Sequence, residues 1–310
     1  MVSILHEKAM SQRLRFSVLT TFVSWFCISV VAAQFVDYKD NIVNNEGVKI
    51  HYVTKGSGPT LVFLHGFPDF WFTWKQQMDQ LASDYKVVGV DLRGYNYSDG
   101  PSEVEAYKMG TLMSDVIAVM DDLKSDPVIL IANDWGGAIA WQLATYYPNR
   151  VKGLVACNIP HPSSLKRYLD QHPRVADYTS KMTGSEATGY WNTERLMEVS
   201  GANKTSLANA YREAFDRSKV QGVLNYYAAS YPKPTKTAAP SPEIKKVDCP
   251  VLMIHGMADS AFPPGTLNDH WELVNKSLTI HAIKNAGHFV QREEPEVVLR
   301  YIREWLTSLE

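Results

Sequence analysis

Ile131-Ala132-Asn133-Asp134-Trp135-Gly136-Gly137 is the stretch whose reading decides the fold. A run of Val, Ile and Leu at 128–131 leads straight into it, and a helical pattern over 138–147 follows. Small residues at 132, 136 and 137 suit a tight strand-to-helix turn with no room for side chains, and such a turn presents its apex residue, Asp134, to the surface of the sheet edge. A carboxylate at that apex is a poor catalyst of acyl transfer. It can, however, displace a leaving group from a saturated carbon, leaving an alkyl ester that water must then hydrolyse. Aspartate is also an ordinary helix N-cap, so the reading depends on partners elsewhere in the chain.

Those partners follow in the order nucleophile, acid, histidine. Asp259 sits in His255-Gly256-Met257-Ala258-Asp259, the turn after an apolar strand at 250–255, and His288 sits in Asn285-Ala286-Gly287-His288, after a strand at 277–283. Both therefore fall at strand carboxyl ends, as Asp134 does. Hydrolysis of an ester on Asp134 develops negative charge on one of its oxygens, which backbone N–H donors must meet. Trp135, directly after the nucleophile, supplies one; Phe67, in His65-Gly66-Phe67-Pro68 after the strand at 60–64, supplies the other. His65 reads as a buried structural histidine at the strand end.

Working outward, short apolar runs alternate with amphipathic stretches, the pattern of an α/β protein with a mostly parallel central sheet flanked by helices. Strands are expected at 49–53, 60–64, 86–91, 127–132, 153–158, 250–255 and 277–283, the first two as an antiparallel pair across Gly56-Ser57-Gly58-Pro59. Helices are expected at 109–123 and 297–309. Residues 160–244 hold helical patterns and a proline-rich return, too long for a loop, and are expected to form an inserted helical cap over the strand ends. The core then comprises 34–159 and 245–310. Cys157 and Cys249 fall at opposite ends of neighbouring parallel strands, roughly 15 Å apart at about 3.3 Å per residue, beyond disulfide reach.

The first 33 residues read separately. Arg13 and Arg15 precede an uncharged stretch at 16–33 that ends in Val31-Ala32-Ala33, a pattern expected of a secretory signal cleaved after Ala33. The protein is then secreted or periplasmic; uncleaved, the stretch is a membrane anchor. Of the 310 residues, 31 are Lys or Arg and 33 are Asp or Glu, a formal charge of −2 that leaves no basic surplus for nucleic acid. The three cysteines, with no CxxC and no Cys/His pair at ligand spacing, imply no metal. Asn96-Tyr97-Ser98, Asn203-Lys204-Thr205 and Asn275-Lys276-Ser277 match glycosylation acceptors.

Together, His65-Gly66-Phe67-Pro68, Asp91-Leu92-Arg93-Gly94-Tyr95 with Ser98, Asn133-Asp134-Trp135-Gly136-Gly137 and Asn285-Ala286-Gly287-His288 resemble the epoxide hydrolase branch of the α/β-hydrolase superfamily. Asn133 departs from the histidine often found before the nucleophile. The resemblance implies the α/β-hydrolase fold, an Asp134–Asp259–His288 triad, no cofactor, and a small apolar epoxide plus water as the reactants. It also implies two cap tyrosines gripping the epoxide oxygen. Leu224-Asn225-Tyr226-Tyr227 assigns one of these to Tyr227, with Tyr226 as substitute and substrate contact beside Phe67 and Trp135; Tyr178 is the other. Trp71, Phe72, Trp74, Tyr190 and Trp191 are expected to help line an apolar pocket. Haloalkane and haloacetate dehalogenases share the Asp nucleophile, but this chain has Phe67 where the former commonly place an Asn, and Trp135 and Ala138 where the latter place arginines. A binding protein of the same fold without turnover is the remaining alternative.

Overall fold

A computed structural model describes residues 37–173, 179–184, 186–230 and 245–309. The expected signal segment and Tyr178 lie outside these described residues. Within them, eight strands form one sheet: β1 (Lys39–Asn45), β2 (Val48–Lys55), β3 (Thr60–Leu64), β4 (Lys86–Val90), β5 (Val128–Asn133), β6 (Val151–Cys157), β7 (Val251–Gly256) and β8 (Leu278–Ile283). Their order is β1-β2-β4-β3-β5-β6-β7-β8, parallel from β4 to β8 and antiparallel at β1, β2 and β4.

The sheet does open antiparallel, but not with the expected pair. β2 pairs with β1 and β4, and β3 crosses over to lie between β4 and β5. Burial explains the placement: every residue of β3 is buried, so it needs cover on both faces and a strand on either side. β5 and β7 are equally apolar and buried throughout, and occupy the parallel centre for the same reason. β1 escaped the sequence reading because it is an edge strand of Lys, Asp and Asn, with Ile42 at 60% exposure. The parallel register sets Cys157 beside Ile254, and both Cys157 and Cys249 are free and buried.

The helices on the two faces are α1 (Lys75–Leu81), α2 (Met109–Leu123) and α3 (Asp134–Tyr146), with α10 (Val290–Glu293) and α11 (Pro295–Thr307) at the carboxyl end. α2 turns Leu112, Met113, Val116, Val119 and Met120 inward at helical spacing, and α11 starts at a proline whose missing N–H is harmless there. Between β6 and β7 the described chain is helical: α4 (Pro162–Gln171), α5 (Ser180–Thr183), α6 (Ala187–Tyr190), α7 (Thr193–Ser200), α8 (Ala208–Arg217) and α9 (Val220–Ser230). α7 is capped at both ends, by Asn192 accepting from the Arg195 N–H at 3.0 Å and by Gly201 at φ +68°.

Buried polar groups lock the loop after β4 to this insertion. Arg93 donates from Nε and Nη2 to the two oxygens of Asp115 on α2, at 2.8 and 2.6 Å. Its carbonyl in turn accepts the Tyr226 hydroxyl of α9 at 2.8 Å. Asn96, one of the three candidate acceptors for glycan, is 4% exposed and takes a left-handed φ of +46°. Its Nδ2 donates to Asp91 at 2.7 Å and its Oδ1 accepts from Arg217 at 2.9 Å, so this asparagine is structural and inaccessible to a glycosylating enzyme. Asn203 and Asn275 are exposed.

Because the Arg93 and Asp115 side chains are each 4% exposed, breaking the pair strands a buried charge. Asp115→Ala is expected to lower unfolding free energy by about 3–5 kcal/mol, read as a drop in the urea midpoint with unchanged slope.

Candidate active site

Asp134 stands at the end of β5 with φ +50°, a left-handed backbone that a non-glycine residue adopts only under constraint from its surroundings. The surroundings are the two glycine-bearing segments. A Cβ on Gly66 would lie 2.3 Å from the Asp134 Cβ and Oδ1, and one on Gly136 would lie 2.4 Å from the His65 carbonyl oxygen. That carbonyl accepts the Gly136 N–H at 2.9 Å, tying the turn to the β3 loop. Such close approach brings the Phe67 N–H to 2.7 Å from Asp134 Oδ1. The other oxygen, Oδ2, faces His288 Nε2 at 3.5 Å.

His288 is held from behind. Its Nδ1 donates to Asp259 Oδ2 at 2.9 Å, and Asp259 is 4% exposed. Three more donors fix that carboxylate: Asn158 Nδ2 at 2.7 Å on Oδ2, and the Ala261 and Phe262 N–H groups at 2.7 and 3.0 Å on Oδ1. Burial raises the Asp259 pKa, but the charge and hydrogen bond of His288 and these donors outweigh it, so the carboxyl stays below its ordinary range. Burial likewise pulls His288 down, yet Asp259 and Asp134 overcome it and lift the imidazole to about 10. Raised this far, His288 favours the imidazolium at neutral pH, set between Asp259 and Asp134.

Asn158 is the contributor that the sequence reading missed. It ends β6 at φ +48°, and an Asn just before Ile159-Pro160 at a strand end was the available signal. His65 is fully buried, donates from Nδ1 to the Gly66 carbonyl at 2.9 Å and accepts the Leu92 N–H on Nε2 at 3.0 Å. Burial lowers its pKa and keeps it neutral, a structural histidine.

The two adjacent cap tyrosines part company. The Tyr226 hydroxyl is taken by the Arg93 carbonyl, and its ring is buried among Tyr95, Tyr107 and Trp135. Its ring packs tilted against Trp135 at 5.4 Å, and its hydroxyl is engaged by the Arg93 carbonyl rather than set beside Phe67 as Tyr227 is. Tyr227 instead sets its ring edge-on to Phe67 and Trp135, at 5.7 and 5.1 Å between centroids, against the two segments that flank Asp134. Trp191 also meets Phe67 edge-on at 5.0 Å. Other expected pocket residues lie elsewhere: Trp74 is in the core, donating to the Leu64 carbonyl, and Tyr190 is 40% exposed beneath Arg195 and Lys181.

Residues 59–295 match the family described as alpha/beta hydrolase fold. Epoxide hydrolase 1 of Caenorhabditis elegans is 31% identical over 283 residues, spanning 84% of this chain and 68% of that protein. The AB hydrolase superfamily protein YfhM of Bacillus subtilis is 31% identical over 296 residues, spanning 87% and 98%. Among solved structures, a mutant epoxide hydrolase of Bacillus megaterium in complex with its naphthyloxy-propanediol product superposes with a TM-score of 0.80 at 31% identity. It covers 86% of this chain and 100% of that one.

The raised His288 pKa has a consequence for stability. The unfolded chain releases the imidazole proton near pH 6.5, whereas the folded chain holds it to about 10. Stabilisation by the imidazolium is therefore complete below about pH 6.5 and is lost progressively as pH rises toward 10. Melting temperatures measured across this window should fall with pH for the wild type, with a flatter profile for His288→Gln.

Proposed function

The chain belongs to the α/β-hydrolase superfamily, in its epoxide hydrolase branch, and from that premise we propose that it opens an epoxide to a vicinal diol through an ester on Asp134. The observation that carries the proposal is the asymmetric setting of the Asp134 carboxylate, with a backbone N–H on Oδ1 and an imidazole beside Oδ2. Oδ2 is the attacking oxygen. Its bond to a ring carbon forms as the ring C–O bond breaks, and the alkoxide takes a proton from the Tyr227 phenol, with Tyr178 as the second donor. Oδ1 becomes the ester carbonyl oxygen, with the Phe67 N–H against it at 2.7 Å as one donor for the oxyanion and the Trp135 N–H as the second.

Esterification also prepares the second step. It removes the Asp134 charge, one of the influences that raise His288, so the imidazolium gives up its proton, which passes through solvent to restore the Tyr227 phenol, and becomes the base. His288 then takes a proton from water, hydroxide adds to the ester carbonyl carbon, and collapse of the tetrahedral oxyanion returns the Asp134 carboxylate and releases the diol. Phe67, Trp135, Trp191 and Tyr227 give the site aromatic walls, which favour an apolar or aryl substituent on the epoxide.

His288→Gln, incubated with a styrene-oxide-like epoxide, should gain one substrate mass on the peptide containing Asp134 and release no diol. Wild-type turnover with no such adduct in the variant would replace the ester by direct attack of water. Tyr227→Phe should slow adduct formation by roughly 10²- to 10⁴-fold, the contribution of a positioned proton donor, while leaving hydrolysis of preformed ester little changed. Halide release from a haloalkane at a comparable kcat/KM would favour the dehalogenase reading.

A further inference from the structure

Arg292 follows His288 by four residues, on the short helix α10, and takes no part in the steps above. Its Nε lies 3.4 Å from Asp69 Oδ2, and the Asp69 side chain is fully buried. Asp69 belongs to the loop that carries Phe67, and its Oδ1 accepts the Phe70 N–H at 3.0 Å. The same guanidinium reaches the helical insertion: Nη2 donates to the Ser200 carbonyl at the end of α7 at 2.9 Å, and the group lies over the Tyr211 ring of α8 at 5.3 Å. Phe289, next to His288, covers it at 4.3 Å.

The residue before it extends the network toward the triad. Gln291 Nε2 donates to Thr73 Oγ1 at 3.0 Å and approaches Asn133 Oδ1 at 3.4 Å, and the Gln291 carbonyl accepts Gln77 Nε2 at 2.8 Å. Asn133, adjacent to the nucleophile, donates from Nδ2 to the Cys157 carbonyl at 2.9 Å and to the His288 carbonyl at 3.3 Å. The backbone on both sides of His288 is also pinned from α10, whose Glu293 accepts the Gly287 and Phe289 N–H groups at 2.6 and 3.0 Å.

We propose that Arg292 is a positioning residue for His288, clasping the Phe67 loop through Asp69 and the insertion through Ser200, so that seating the insertion and aiming the imidazole are one event. The inference rests on the ester mechanism. A guanidinium that is mostly withdrawn from water tolerates little displacement, because each lost partner leaves a desolvated charge. If the end of α7 lifts, Arg292 loses the Ser200 carbonyl, and α10 with the His288 backbone is free to shift. Attack on the epoxide depends on Asp134 and the phenols, whereas the contacts of Arg292 run to Asp69, Ser200, Tyr211 and Phe289. Hydrolysis depends on where His288 Nε2 points.

Single-turnover mass spectrometry separates the two steps, with each rate normalised to the Asp134 sites that become alkylated. Arg292→Met should alkylate at about the wild-type rate but hydrolyse its ester by up to roughly 100-fold more slowly, the scale of a displacement of about 1 Å. Arg292→Lys should recover part of the hydrolysis rate, and Asp69→Asn should slow the same step without adding to the loss in Arg292→Met. Should Arg292→Met fail to fold, Arg292→Lys and Asp69→Asn carry the same comparison. Hydrolysis at the wild-type rate, or both steps slowed in proportion, overturns the positioning role. Failure of the ester mechanism is read separately, as the absence of any adduct in His288→Gln.

Discussion

At Asp134 the backbone leaves a buried strand and enters a helix through a left-handed residue, a conformation that costs an L-residue about 1–2 kcal/mol. Only a tightly packed environment can impose it, and the packing is visible in what Gly66 and Gly136 exclude. Those approaches carry the Phe67 N–H onto one carboxylate oxygen and leave the other facing His288. Strain at one residue thus fixes a loop from β3, a helix after β5 and the direction of the Asp134 carboxylate together. Parallel strand order does the rest, since β5, β6 and β7 end on the same edge and bring Asp134, Asn158 and Asp259 there.

This is also why so much of the site was legible in the sequence. Asp134, Asp259 and His288 each follow a short apolar run, and runs of that kind in a parallel sheet point the same way. What the sequence concealed was decided by neighbours. The position of β2 beside β4 follows from the need to bury β3 on every side, which no local pattern states. β1 is polar because it is an edge, and polar edges resemble loops. Asn158 looked like an ordinary residue after a strand because its importance lies in the carboxylate it holds from another strand.

The tyrosine pair shows the same limit at closer range. Tyr226 and Tyr227 are adjacent on one helix, so their side chains diverge by about 100°. One faces the loop after β4, where the Arg93 carbonyl takes its hydroxyl; the other faces Phe67 and Trp135. The buried Arg93–Asp115 pair fixes the first partner, and through Tyr226 it supports the Trp135 ring. A charge pair on the core side of the molecule therefore helps to shape a wall of the site.

A second histidine tests what makes His288 special. His51 is also buried between two carboxylates, Asp91 at 2.7 Å and Asp40 at 3.1 Å, and its pKa is also raised, burial notwithstanding. Yet Asp91 is saturated: Trp71 N–H holds one oxygen, and Asn96 Nδ2 shares the other with His51. Its remaining partner, Asp40, is largely solvated on the edge strand. Such a cluster locks a loop, as the Ser98 bonds to His51 N–H and the Asp91 carbonyl do, with both Asp91 side-chain oxygens already taken. At His288 the electrostatics are similar and the geometry differs, because the strained turn keeps Asp134 Oδ2 facing the imidazole at 3.5 Å while Oδ1 takes the Phe67 N–H. An imidazole between carboxylates is thus only a charge arrangement; what sets His288 apart is the strained backbone that presents one of those carboxylates to it.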